Sequence, residues 1–124
     1  MTEIKTFRDL LVWQKAMSFV TKIYGETSSF PPEELYSLTS QLRRCSISLP
    51  SNITEGYGRK SKQDYVRFLR VATGSLYKSQ TQLEIALNLK YMSPEQFEKL
   101  NDMAREIERM LSSLINKVSN SKRL

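Results

Sequence analysis

The residues best equipped for chemistry in this chain lie between Leu38 and Gly58, in the stretch LTSQLRRCSISLPSNITEGYG. Gln41, Arg44, Ser48, Asn52 and Glu55 follow one another at spacings of three, four, four and three, which on one helix makes a single surface stripe. Every member is polar, so the chemistry on offer is hydrogen bonding and charge pairing. Glu55 is the stripe's one acid, and no second acid–base group stands at a spacing that would complete a general acid–base pair. A stripe of this kind beside an apolar one calls for a partner, because a buried arginine or glutamate left unpaired is strongly disfavoured. It serves either as a network joining helices or subunits or as a face that touches a ligand, and the structural or interface role is the one favoured.

A second set is cationic. From Leu35 to Leu83 there are eight basic residues (Arg43, Arg44, Arg59, Lys60, Lys62, Arg67, Arg70 and Lys78) and two acidic ones (Glu55 and Asp64), and the remaining positions hold eleven of each sign. All of the +6 formal charge therefore sits in the middle of the chain, as a footprint for an anionic partner would. The candidate nucleic-acid contacts are Arg43, Arg59, Lys60, Lys62, Arg67 and Arg70. The plain alternative is a solvated face, and the shortage of acids among these residues is what lifts the binding reading above it. Tyr57, beside the basic turn, could stack on a base, although a tyrosine near a helix end more often packs.

Other chemistry is absent from the sequence. There is no histidine, which removes Ser–His and Cys–His pairs and imidazole metal sites. Cys45 is the single cysteine, so no intramolecular disulfide can form, in keeping with a reducing compartment. Its position on the apolar stripe suggests an inert core thiol. No catalytic residue, metal site, cofactor or small-molecule substrate is expected. The first thirty residues carry no signal-peptide pattern, and no apolar run approaches the roughly 18 residues that span a bilayer, so a cytoplasmic protein with no membrane contact is expected.

The elements that must position these residues are helices. Four glycines and four prolines among 124 residues favour long helices over many short strands, and the length suits one domain, residues 1–124. The spacing predicts helices over about 7–25, 32–57, 62–91 and 94–118, with 119–124 a fraying basic tail. In the first, Leu10, Trp13, Met17, Val20 and Tyr24 form the apolar stripe, Val12, Ala16, Phe19 and Ile23 widen it, and Gly25 is placed to end it. In the second, Leu35, Leu38, Leu42, Cys45 and Leu49 lead to Pro50, where a kink is expected, and Gly56 is placed as the stop. The third carries Tyr65, Leu69, Ala72, Leu76, Ser79, Leu83, Ala86 and Lys90, with Gly74 inside it as a possible point of close helix approach. The fourth starts at Ser93-Pro94-Glu95-Gln96 and runs through Phe97, Leu100, Ala104, Ile107, Leu111, Leu114 and Val118. The economical fold is all-α: an up-down-up-down antiparallel four-helix bundle with helix 2 kinked near Pro50.

Several segments together resemble a known family. FRDLLVWQ (Phe7 to Gln14), Phe30-Pro31 with Glu34, LTSQLRR (Leu38 to Arg44), SLPSNITEG (Ser48 to Gly56) and ATGSL (Ala72 to Leu76) are similar to the four-helix bundle proteins encoded in intervening sequences of bacterial 23S ribosomal RNA. The resemblance runs from Phe7 to about Val118. It implies a small helical bundle that assembles as a homopentamer, with RNA binding inferred from genomic setting and basic surface. One departure stands out: Lys78 and Gln80 occupy positions where the family usually places acids, so the resemblance implies a rearranged local ion-pair scheme here. The functional expectation is a non-enzymatic, homo-oligomeric bundle that binds RNA or DNA through its basic middle segment. The rival is a protein-binding scaffold or accessory subunit, for example of a reverse transcriptase, without nucleic-acid affinity of its own.

Overall fold

The structure, a computed structural model, describes residues 3–122. Within them lie α1 (Leu11–Thr27), α2 (Leu38–Tyr57), α3 (Lys62–Asn88) and α4 (Pro94–Ser119), with short 3-10 turns at Phe7–Asp9 and Pro32–Glu34 and no strand. No helix among the described residues is long and apolar enough to cross a membrane.

α3 and α4 form where their patterns say they should. Ser61 caps α3 by accepting from the Asp64 N–H at 3.1 Å. At the start of α4 the Ser93 hydroxyl accepts from the Gln96 N–H (3.1 Å), the Gln96 side chain accepts from the Ser93 N–H (2.8 Å), and Pro94 takes the first helical position. Tyr65, Leu69, Ala72, Leu76, Ser79, Leu83 and Ala86 are all buried, as are Leu100, Ala104, Ile107, Leu111 and Val118. Ser79 enters the core without penalty because its hydroxyl donates to the Ser75 carbonyl of the preceding turn, at 3.0 Å.

Packing runs α1 to α2 to α3 to α4 and closes from α4 back to α1. Contacts fix the register: Gly56 lies on Tyr65 and Phe68, Ser48 meets Ser75 and Cys45 meets Gln82, so residue numbers fall along α2 as they rise along α3. Lys62 with Ser119, Tyr77 with Glu108 and Gln80 with Asn101 give the same opposed order between α3 and α4. Phe19, Ile23, Leu42, Leu49, Ile53, Leu69, Leu76, Leu83, Leu100, Ile107 and Leu111 fill the space between.

Several boundaries differ from the expected ones. Residues 7–9 form a separate turn, because Thr6 and Asp9 make a capping box of their own and Leu10 is extended (φ −71°, ψ 122°). The centre of the α1 stripe shifts to Val12, Ala16, Phe19, Ile23 and Thr27, while Met17 and Tyr24, expected on it, are 40% and 39% exposed. The apolar band on α1 is two residues wide, and periodicity alone does not separate its centre from its edge. Gly25 does not end the helix: its φ is not positive, and α1 continues to Thr27, whose hydroxyl donates to the Ile23 carbonyl at 2.7 Å.

α2 begins at Leu38 and runs without interruption through Pro50 to Tyr57. Gly56 is not its stop. A Cβ there would stand 2.9 Å from the Phe68 Cβ and 3.1 Å from the Tyr65 carbonyl oxygen, so the glycine lets α2 and α3 touch. Gly74, expected to serve such an approach, has nothing within 4 Å of where its Cβ would be. α3 ends at Asn88, short of the expected 91, because Lys90 adopts φ 64°. The Lys90 N–H then reaches the Leu87 carbonyl and the Tyr91 N–H the Ala86 carbonyl, both at 2.9 Å, a Schellman closure. At the other end α4 continues to Ser119, and the Asn120 and Ser121 N–H groups bond back to Asn116 and Val118. Of the expected fraying tail, 119–121 are thus hydrogen-bonded, and 123–124 lie outside the described residues.

Candidate nucleic-acid interface

The polar stripe of α2 separates into three parts. Its middle joins α2 to α3: the Ser48 and Ser75 hydroxyls are 2.8 Å apart, and the Asn52 amide donates to the Ser48 carbonyl (2.8 Å) and hydroxyl (2.9 Å). Its end turns to its own helix terminus, where Glu55 accepts from Arg59 at 2.8 Å. Its start, Gln41 and Arg44, is exposed and makes no side-chain hydrogen bond or ion pair among the described residues. Gln41 and Arg44 border an open α2–α3 hollow of about 340 Å3 together with Cys45, Lys78 and Gln82. Cys45 is half-buried rather than in the core, with the Gln82 amide 3.7 Å from its sulfur. No acid lines this hollow, so Arg44 and Lys78 share it as two cations.

The six candidate basic contacts do not form one patch. Arg43 belongs to the α1–α2 seam: its Nε donates to the Thr27 hydroxyl at 2.9 Å, and its guanidinium lies 4.5 Å over the Tyr24 ring. That geometry fastens two helices. Lys62 closes the bottom of the bundle, donating to the Ser119 and Ser121 carbonyls, both at 3.3 Å, where a cation suits the negative end of α4. Arg59 and Arg67 both lie over the Phe68 ring, at 4.7 and 4.5 Å, and each has an acid nearby: Glu55 at 2.8 Å and Asp64 at 3.6 Å. The Arg67–Asp64 pair is 61% and 50% exposed, a pairing worth little in water. Arg70 is exposed and has no ion pair among the described residues, and Lys60 stands exposed in the turn that precedes α3. Tyr57 packs edge-on to Tyr65 with ring centroids 6.2 Å apart.

Arg67, Arg70, Gly74 and Tyr77 follow at three, four and three along α3, so the cations continue into a groove between α3 and α4. This groove, about 510 Å3, is bordered by Arg70, Gly74, Tyr77, Glu108, Ser112 and Asn116 among others. Tyr77 is 48% exposed and donates its hydroxyl to Glu108 at 2.8 Å. The Glu108 carboxylate, as hydrogen-bond acceptor and as neighbouring charge, raises the Tyr77 phenol above its ordinary value. The sequence reading missed this groove. The signal available was Gly74, a glycine inside the most regular helix.

With the fold in hand, the likeness to known proteins can be placed. The family described as 23S rRNA-intervening sequence protein matches residues 8–113. The chain belongs to that 23S rRNA-intervening sequence protein family. A crystal structure of a protein of unknown function from the S23 ribosomal protein family of Bacteroides thetaiotaomicron superposes with a TM-score of 0.79. The two chains are 24% identical, and the alignment covers 86% of this chain and 96% of that one, a likeness of fold. No curated protein matches. The hollow beside Arg44, where Lys78 stands, carries no carboxylate in its lining.

Proposed function

We propose that this chain is a non-enzymatic, self-associating helical bundle that binds RNA through the α2–α3 turn and the outer face of α3. The observation that carries the reading is the pair Arg67 and Arg70, three positions apart on one exposed face of α3 just beyond the turn that exposes Lys60. Arg67 is paired to an acid only by an exposed 3.6 Å contact to Asp64, and Arg70 is in no ion pair among the described residues. Cations so arranged displace counterions from a phosphate backbone, which is the main source of sequence-independent affinity. Arg43 and Lys62 hold helices together and Arg59 lies against Phe68, so in this reading these three support the surface more than they contact the RNA.

Self-association has its own support. Met17, Tyr24, Leu35, Tyr36 and Ile47 are apolar, exposed and clustered on the α1–α2 side, with Tyr36 at 91%. A contiguous patch of this kind marks an interaction surface, and it lies away from the α3 face. A closed ring of subunits, as in the resembling pentamers, would repeat the α3 face around its rim and add avidity for a long polyanion.

The test is a gel shift with single-stranded RNA at moderate salt. The wild type should retain the RNA, and the triple variant Lys60→Gln, Arg67→Gln, Arg70→Gln should release it while keeping its helical circular dichroism. A folded triple variant that binds as well as the wild type contradicts the reading. If the wild type retains no RNA and recovers a specific protein instead, the scaffold reading takes its place.

A further inference from the structure

We propose that the α3–α4 groove seats one nucleotide of a single-stranded RNA, with its base against the Tyr77 ring and its phosphate on Arg70. This rests on the RNA-binding reading and adds a place where the strand is gripped by more than charge.

Gly74 is the first argument. Glycine inside a helix weakens it relative to alanine, and a glycine usually persists there because another backbone comes close. Here a Cβ would meet nothing within 4 Å, so helix packing places no demand on the position. What the missing side chain leaves is the floor of an open groove of about 510 Å3, within the range of about 300–1,000 Å3 typical of small-ligand sites.

The walls supply the second argument. Tyr77 stands half-exposed, with its ring orientation held by the 2.8 Å bond to Glu108, so a stacking surface is presented with little left to order. Arg70 lies seven residues earlier on the same face, about 10 Å along the helix axis, and has no acid partner among the described residues. Glu108 receives the Tyr77 hydroxyl on Oε2, which leaves Oε1 to accept an N–H from a base edge, as a carboxylate does from the cytosine amino group. Its charge also directs the phosphate to the Arg70 end. Only an unpaired, splayed base can enter such a groove, which selects single strands over duplexes.

The experiment uses a cytidine-rich single-stranded RNA of about a dozen nucleotides carrying thiouridine, with affinity and ultraviolet crosslinking measured on the full chain. Wild type should crosslink through the peptide that contains Tyr77. Gly74→Leu fills the groove and restores a good helix former, so its melting temperature should hold or rise. Its affinity should fall about fivefold to a hundredfold, the loss expected of one stacked base, and the Tyr77 crosslink should vanish. Tyr77→Ala should weaken binding to a similar degree. If Gly74→Leu binds like wild type, or the crosslinks map away from α3 and α4, the groove is overturned while the surface reading stands. If wild type shows no affinity for the RNA even at low salt, the surface reading falls and the groove falls with it.

Discussion

At the scale of single residues, three backbone positions decide more than their size suggests. Gly56 is pressed by Phe68 and the Tyr65 carbonyl, Gly74 faces open space, and Lys90 bears a left-handed φ of 64° with a side chain that disfavours it. Urea unfolding should therefore show opposite signs. Gly56→Ala should lose about 1–3 kcal/mol to overpacking, whereas Gly74→Ala should gain about 1 kcal/mol of helix propensity. Lys90→Gly should also gain about 1 kcal/mol by relieving the left-handed strain. Equal losses at Gly56 and Gly74 would show that both are packing glycines. These roles were not legible in the sequence, because what distinguishes Gly56 from Gly74 is a neighbour on another helix. The placement of Arg43 apart from the other cations was hidden for the same reason: its neighbours are Thr27 and Tyr24, sixteen and nineteen positions away.

At the scale of elements, the patterns of α3 and α4 were almost fully legible. Their apolar positions keep one narrow line, and their starts carry serine caps that the structure uses. α1 was less so, since its band is wide and its first turn is detached by the Thr6–Asp9 cap. The loops are tied by side chains that no periodicity reveals. The Tyr91 hydroxyl donates to Glu34 at 2.8 Å and its ring tilts against the buried Phe30 at 5.6 Å, binding the α1–α2 connection to the α3–α4 connection. That hydroxyl, with the Leu38 N–H, holds the Glu34 carboxylate below the ordinary glutamate range, and the same bond raises the Tyr91 phenol. The signs follow from linkage. Glu34 adds stability that is complete above its unfolded value and is lost as pH falls through its folded one. Tyr91 adds stability that is complete below its unfolded value and is lost as pH rises through its folded one. The stability gap between wild type and Tyr91→Phe should be flat around neutrality and shrink in acid, below about pH 4. A gap independent of pH across that range would show that the hydroxyl bond contributes nothing.

At the scale of the whole molecule, the two outer sides of the bundle differ in character. The α1–α2 side is apolar and exposed at Tyr36, Leu35 and Ile47 and suits association between copies. The α3 side carries Arg67 and Arg70 and the groove, and it is the side that the proposed function gives to an anionic strand. Composition foretold the charge and its place in the chain. The division between sides needed the fold, because it depends on which helix lies beside which. The stretch around Pro50 serves chiefly to hold α2 on α3, through Ser48, Asn52 and Gly56. The central claim, that α3 binds RNA through its phosphates, is tested most directly by the salt dependence of single-stranded RNA affinity. Each phosphate contact contributes about 0.7 to the log–log slope. Wild type should show a steep slope, and the variant with Lys60, Arg67 and Arg70 changed to glutamine should be shallower by about 2. A flat wild-type response, or a slope that the three substitutions leave unchanged, would contradict it.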